Sequence, residues 1–356
     1  MCLNVVHQCI GTCFGGRNGT TERGENVRDT YVSHKPTKSK AKGGVVAALL
    51  LAGALIGGTA STASAAPQST SDMADSKKIS LSQAEAAVNY WTPQLMEKAK
   101  TAENLARGKS ASTLPLDAGK SIKIAGRSAA TGKLTAGKPS KNTAETPASH
   151  IGKVFFTLGG VDYVCSGNAV VAANGATVST AGHCANEGAG SFATRWVFVP
   201  DYENGNAPYG TFAATELVAP TQWTQDGNIT YDTAFAVVSD LSGESLADQV
   251  GASGVAFNEA RGLMYTAFGY PAAPPFDGET LQSCGGAASE DPFGQTQSQG
   301  IPCDMTGGSS GGPWFLGGSD GFQNSLNSFG YVGVHNMMFG PYWGSVIEQA
   351  YQAAQN

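Results

Sequence analysis

The stretch Thr306-Gly307-Gly308-Ser309-Ser310-Gly311-Gly312-Pro313 sets two serines between two pairs of glycines, just before the apolar Trp314-Phe315-Leu316. Glycine tolerates positive φ, so a backbone built this way can turn sharply and come close to a bound molecule. A nucleophilic serine needs such a setting, with an accessible hydroxyl and backbone N–H groups aimed at a developing oxyanion. Ser310 is the candidate nucleophile, and the N–H groups of Gly308 and Ser310 are the candidate oxyanion hole. A glycine-serine cluster alone is more often a flexible loop. Its meaning depends on partners elsewhere in the chain.

Two partners stand upstream. His183 lies in Ser179-Thr180-Ala181-Gly182-His183-Cys184, directly after a predicted strand. A general base must be held near the serine and still reach the leaving group, and the neighbouring cysteine offers an anchor. Asp232 lies in Tyr231-Asp232-Thr233-Ala234-Phe235-Ala236-Val237-Val238, at the mouth of an apolar strand. An acid entering a buried strand is costly unless something pairs with it, and orienting a histidine is such a pairing. Asp226, in a weaker apolar context, is the backup for this role.

The surrounding pattern is that of strands. Val154-Phe155-Phe156-Thr157-Leu158 runs into Gly159-Gly160, and residues 163–172 and 176–180 flank an Asn174-Gly175 turn. Further short runs cover residues 196–199, 212–218, 234–238, 263–268 and 329–334. Many short strands punctuated by Gly and Asn predict an all-β barrel or sandwich. Residues 345–354 differ, because Val346, Ile347, Ala350 and Tyr351 recur at helical spacing.

Together, T-A-G-H-C, D-T-A-F and G-S-S-G-G-P, in the order His, Asp, Ser and followed by a C-terminal helix, resemble the chymotrypsin-like (trypsin-fold) serine peptidases. The resemblance spans about residue 148 to the end. It implies two antiparallel six-stranded β-barrels with a Ser-His-Asp triad in the cleft between them, and hydrolysis of peptide bonds through an acyl-enzyme. In the animal enzymes an aspartate precedes the serine and pairs with a newly freed N-terminus on activation. Here that position is Ser309, so activation is not expected to use a buried N-terminal amine. Cys303-Asp304-Met305-Thr306-Gly307-Gly308-Ser309-Ser310-Gly311 looks most like the secreted bacterial branch that contains glutamyl endopeptidases. There a histidine in a G-V-H stretch helps bind an acidic side chain, and Gly333-Val334-His335 matches it. His335 is thus a candidate substrate-binding residue for a Glu/Asp preference at P1. Asp304, six residues before Ser310, is the competing candidate, at the place where trypsin-like enzymes carry an acid for Lys or Arg, and an apolar or broad preference is the third reading. Two other classes share these residues: a catalytically inactive trypsin-fold binding module, and an esterase or lipase. The pentad 308–312 fits the nucleophile elbow of the latter, but the chain order of the triad and the lack of βαβ alternation do not.

Charge divides the chain. Residues 151–356 hold three strong bases, Lys153, Arg195 and Arg261, against eighteen acids, a net −15, whereas residues 66–150 hold twelve bases against seven acids, a net +5. A domain so acidic is a poor partner for nucleic acid, which needs clustered Lys and Arg. Cys165, Cys184, Cys284 and Cys303 allow three pairings, and proximity favours Cys165 with Cys184 and Cys284 with Cys303; Cys2, Cys9 and Cys13 stand apart near the N-terminus. Paired cysteines imply an oxidising compartment. The basic residues 34–42, the apolar run 45–56 and Ala63-Ser64-Ala65 read as a secretory signal peptide, with no segment expected to stay in a membrane after its removal.

The expected organisation is therefore 1–65 N-terminal extension and signal peptide, 66–147 pro-region and linker, and 148–356 peptidase. Within the pro-region, Ser82-Gln83-Ala84-Glu85 and Thr92-Pro93 predict one or two helices between residues 82 and 106, and 108–146 reads as linker. The expected partners are a protein or peptide substrate and the chain's own pro-region. No metal site is read, and amide hydrolysis by such a triad needs no cofactor.

Overall fold

The computed structural model describes residues 73–111, 119–130, 148–240 and 243–355. The expected signal peptide and the three N-terminal cysteines lie outside the described residues. Among those described, no helix is long and apolar enough to cross a membrane.

Six strands of the first half close into an antiparallel barrel. In chain order the elements before it are β1 (Ala74–Lys78), α1 (Leu81–Tyr90), α2 (Pro93–Lys98), β2 (Lys100–Thr101), α3 (Glu103–Ala106) and β3 (Ile122–Ile124). The barrel strands are β4 (Ile151–Leu158), β5 (Val161–Ala169), β6 (Thr177–Thr180), β7 (Thr194–Pro200), β8 (Phe212–Pro220) and β9 (Ala234–Val238). Pairing runs β7-β4-β5-β6-β9-β8 and closes onto β7 through Phe212 and Ala213 of β8, leaving residues 216–220 on that edge of β8 for β1. Phe156, Trp196, Phe198, Phe212 and Phe235 fill it, and the C-terminal helix Ser345–Ala353 adds Ile347, Ala350 and Tyr351 to the same core.

The second half is built from two sheets. Its strands are β10 (Gly254–Phe257), β11 (Met264–Gly269), β12 (Gln282–Ala287), β13 (Ser289–Glu290), β14 (Gln299–Pro302), β15 (Pro313–Leu316), β16 (Phe322–Leu326) and β17 (Met337–Gly340). They form a six-stranded sheet, β12-β11-β15-β16-β10-β3, and a three-stranded sheet, β13-β14-β17. The Cys284–Cys303 disulfide ties the two sheets together, from β12 to the residue after β14.

The segment before residue 148 is more ordered than its composition predicts. Strand β1 extends the first barrel by pairing with β8, and β3 pairs antiparallel with β10. The stretch read as linker contains Ile122-Lys123-Ile124, whose alternation is enough to add a strand once β10 offers an edge. The capping box also sits two residues earlier than expected. Ser80 accepts from the Gln83 N–H while the Gln83 side chain accepts from the Ser80 N–H. Thr92 caps α2 with Pro93 at its first position, as read from the sequence. Helix α1 lays Ala84, Ala87 and Trp91 on Phe155, Val197 and Val199, which explains why β4 is buried along its whole length.

Candidate active site

Barrel pairing brings His183 and Asp232 together. Strands β6 and β9 run antiparallel with Thr180 opposite Ala234, so the residues just after β6 and just before β9 emerge at the same end. His183 occupies the 3₁₀ turn Gly182–Cys184, and Asp232 ends the turn Ile229–Tyr231. Gly182 is required there, because a Cβ would run into the Asp232 carboxylate and Trp223. The Cys165–Cys184 disulfide fastens this turn to β5.

Asp232 is fully buried and accepts three hydrogen bonds. Its Oδ1 takes the His183 backbone N–H at 2.8 Å; its Oδ2 takes His183 Nδ1 at 2.8 Å and the Ser328 hydroxyl at 2.5 Å. A carboxylate can only accept, so His183 carries its proton on Nδ1. Its Nε2 is then a lone-pair acceptor, and it is buried with no hydrogen-bond partner among the described residues. An unpartnered buried nitrogen is costly unless something is meant to come to it.

The second half supplies Ser310 and docks on β5. Ser166 of β5 donates its backbone N–H to the Ser310 carbonyl at 2.7 Å and its hydroxyl to the Gly308 carbonyl at 3.0 Å. Gly311, at φ 82°, packs so tightly on Thr180, Ala181 and the Ser166 carbonyl that no side chain fits. Ser310 is therefore set against the turn that carries His183. Gly308 sits at φ 97°. Among the described residues, neither its N–H nor that of Ser310 has a protein acceptor, whereas Ser309 and Gly311 donate theirs to Thr306 and Asn327. Ser309 also donates its hydroxyl to the Thr306 carbonyl at 2.8 Å.

Beside Ser310 lies a cavity of about 540 Å³. Met305, Thr306, Phe329, Tyr331, Met337 and Met338 form part of its wall. Neither His335 nor Asp304 lines it. His335 is exposed in the loop before β17, which also exposes Val332. Asp304 is exposed because the chain after Cys303 turns Met305 inward, into the cluster formed with Ile301, Trp314 and Met338. Asp226, the backup acid, is exposed as well. The cluster Cys165, His183 and Cys184 brings three metal-type ligand atoms within 4.8 Å of one another, but the two sulfurs are bonded to each other and offer no thiolate.

No family model matches the chain, and no curated protein matches it. Solved structures do. Protease Anisep from Arthrobacter nicotinovorans is 63% identical, with a TM-score of 0.59, over 60% of this chain and 98% of that one. This chain belongs to the trypsin-fold serine proteases. A thermostable serine protease, AL20, from an extremophilic microorganism is 52% identical, with a TM-score of 0.57, over 58% of this chain and 97% of that one. A Glu endopeptidase stands farther off, at 19% identity and a TM-score of 0.47 over 65% of this chain and 98% of that one, and says nothing about substrate choice here.

As a trypsin-fold serine protease the chain hydrolyses peptide bonds. Two residues of its site escaped the sequence reading. Ser328 holds the far side of Asp232, and Ser166 ties the Gly308–Ser310 turn to the first barrel. The only local hint for Ser328 is its place in a run of polar residues, Asn324 to Ser328, that is buried despite its polarity.

Proposed function

We propose that the chain is the precursor of a secreted serine endopeptidase, with Ser310 as nucleophile, His183 as general base and then general acid, and Asp232 as the group that orients His183. The observation that carries this reading is the buried Asp232–His183 pair, with the imidazole fixed at Nδ1 and Nε2 left open beside the Ser310 turn. Ser310 Oγ attacks the scissile carbonyl as Nε2 takes its proton. The carbonyl oxygen, now negative, is held by the N–H groups of Gly308 and Ser310. His183 then passes the proton to the departing amine, and Asp232 stabilises the imidazolium formed on the way. Water repeats the sequence on the acyl-enzyme and frees Ser310.

Residues 1–65 act as N-terminal extension and signal, 66–147 as pro-region and 148–356 as the protease, and the two disulfides suit an extracellular setting. For the P1 residue, the cavity wall supports a neutral, apolar side chain over Glu or Asp. The protease residues that line it include no Lys, Arg or His, so an acidic side chain would enter without a counter-charge. The test is to profile processed protein and its Ser310→Ala variant on a mixed peptide library. Cleavage after Leu, Met or Phe that vanishes in the variant supports the whole reading. Cleavage after Glu restores His335 as the specificity residue, and cleavage that survives Ser310→Ala removes the triad.

A further inference from the structure

Residues 100–110, which precede the protease, run across its candidate active site. Strand β2 pairs in parallel with Tyr163 and Val164 of β5, immediately before Cys165. Ala102 is fully buried in the cluster that contains the Cys165–Cys184 disulfide, and Ala106 joins the same cluster. At the other end Lys109 donates to the carbonyls of Glu187 and Gly188 and lies over the Trp223 ring at 5.6 Å. Ser110 accepts from the Ile229 N–H at 2.8 Å and donates its hydroxyl to the Asp226 carbonyl at 2.8 Å. One end is thus fixed to β5, and the other to the loop after His183 and the turn that leads to Asp232.

Between the anchors stands α3, whose first residue is Glu103. Its carboxyl lies so close over Gly307 that a Cβ on that residue would overlap it, and it lines the same cavity as Ser309 and Ser310. Glu103 Oε2 is buried and has no hydrogen-bond partner among the described residues. The N–H groups of Gly308 and Ser310 remain without acceptors among the described residues. The segment therefore fills the site without behaving as a substrate. A scissile peptide has to be extended, with its carbonyl in the oxyanion hole, whereas here the backbone is coiled, with Leu105 donating to the Ala102 carbonyl at 2.8 Å.

We propose that residues 100–110 close the catalytic cleft of the precursor, with the Glu103 side chain as the blocking group beside Ser310, and that the protease stays silent until this segment leaves. The proposal rests on the peptidase reading above. A carboxylate oxygen buried without a partner makes a poor free-standing inhibitor. Tethering removes that weakness, because a segment on the same chain acts at an effective concentration on the order of millimolar. Cutting the chain dissolves the advantage, and the block falls away by dilution.

The experiment uses the full chain and a small fluorophosphonate tag, which labels an active serine without needing a peptide to dock. Uncut and processed species are resolved on a gel and the labelling rate of each band is measured. The uncut wild-type band is expected to label on the order of 100-fold more slowly than the processed band. Glu103→Ala should raise the rate of the uncut band by about 10-fold or more, as should Lys109→Ala, which frees the second anchor. Glu97→Ala, on the exposed side of α2, should leave it unchanged. An uncut wild-type band that labels as fast as the processed one overturns the proposal, and so do Glu103 and Lys109 variants that stay as slow as wild type. If the processed protein itself takes no label, the peptidase reading has failed instead.

Discussion

Replacing Asp232 by Asn tests the proposed triad most sharply, because the geometry leaves the amide two placements and both are harmful. With the amide nitrogen in the place of Oδ2, it would donate to His183 Nδ1, the proton would move to Nε2, and the base would be lost. With the nitrogen in the place of Oδ1, it would face the His183 backbone N–H, leaving a buried donor unpaired at about 1–3 kcal/mol. That second placement keeps the useful tautomer but loses the charge that stabilises the imidazolium, a charge-assisted bond of about 1.5–3 kcal/mol. The two terms add to roughly 2.5–6 kcal/mol, and at 1.36 kcal/mol per tenfold kcat should fall by about two to four powers of ten. The assay compares kcat on a peptide substrate for Asp232→Asn and for Asp226→Asn, with thermal melting to show that both fold. Asp226 is exposed and makes no contact with His183, so its variant should match wild type. An Asp232→Asn enzyme within about threefold of wild type, or an equal loss at Asp226, would refute the reasoning.

Three further outcomes are expected. Lys153 is buried against the Tyr202 ring and the Gly278 carbonyl, and desolvation lowers its pKa to about 8. The folded state then holds fewer protons than the unfolded one between about pH 8 and 10.5, so wild type should gain roughly 3 kcal/mol over Lys153→Met across that window, and a constant difference in unfolding free energy would count against the shift. Gly311→Ala should cost about 2–5 kcal/mol from its positive φ and its contact with Thr180 and Ser166, and should slow Ser310 labelling; a near-neutral melting point would show the turn is looser than drawn. Met338→Ala, which empties part of the cavity wall, should move cleavage toward bulkier P1 side chains, and an unchanged profile would take Met338 out of the pocket.

What was legible in the sequence was whatever a short stretch can carry. His183, Asp232 and Ser310 each sit in a local motif, and the barrel strands announce themselves by apolar runs between Gly and Asn turns. The contacts that complete the site depend on distant chain. Ser328 meets Asp232 across 96 positions, and Ser166 meets Gly308 across 142, so no window of sequence could pair them. His335 is the opposite case: Gly333-Val334-His335 is a local motif, but its loop leaves His335 exposed while Met337 and Met338 line the cavity. The stretch 108–146 looked like linker because Ile122 and Ile124 are too few to call a strand; β10 supplies the edge that makes them one.

The same logic shows what holds the segment before residue 148 in place. Three of its cations pair with protease carboxylates, Lys78 with Glu216, Lys123 with Glu259 and Arg127 with Asp248, as the opposed net charges predict. All three cations are at least 46% exposed, and pairs of that kind contribute about 0–1 kcal/mol each and weaken in salt. Trp91 alone outweighs them. It is buried on Phe155 with its ring N–H on the Arg195 carbonyl, and at roughly 150–250 Å² and 25 cal/mol per Å² it contributes about 4–6 kcal/mol. The grip therefore comes from the apolar seat of α1, and the charges serve to bring the two parts together at long range. The obstruction comes from a different element, α3, whose first residue, Glu103, buries a carboxyl oxygen that has no partner among the described residues. Holding and blocking are separate tasks on separate helices, so a change at Trp91 should register as lost stability and a change at Glu103 as gained access to Ser310.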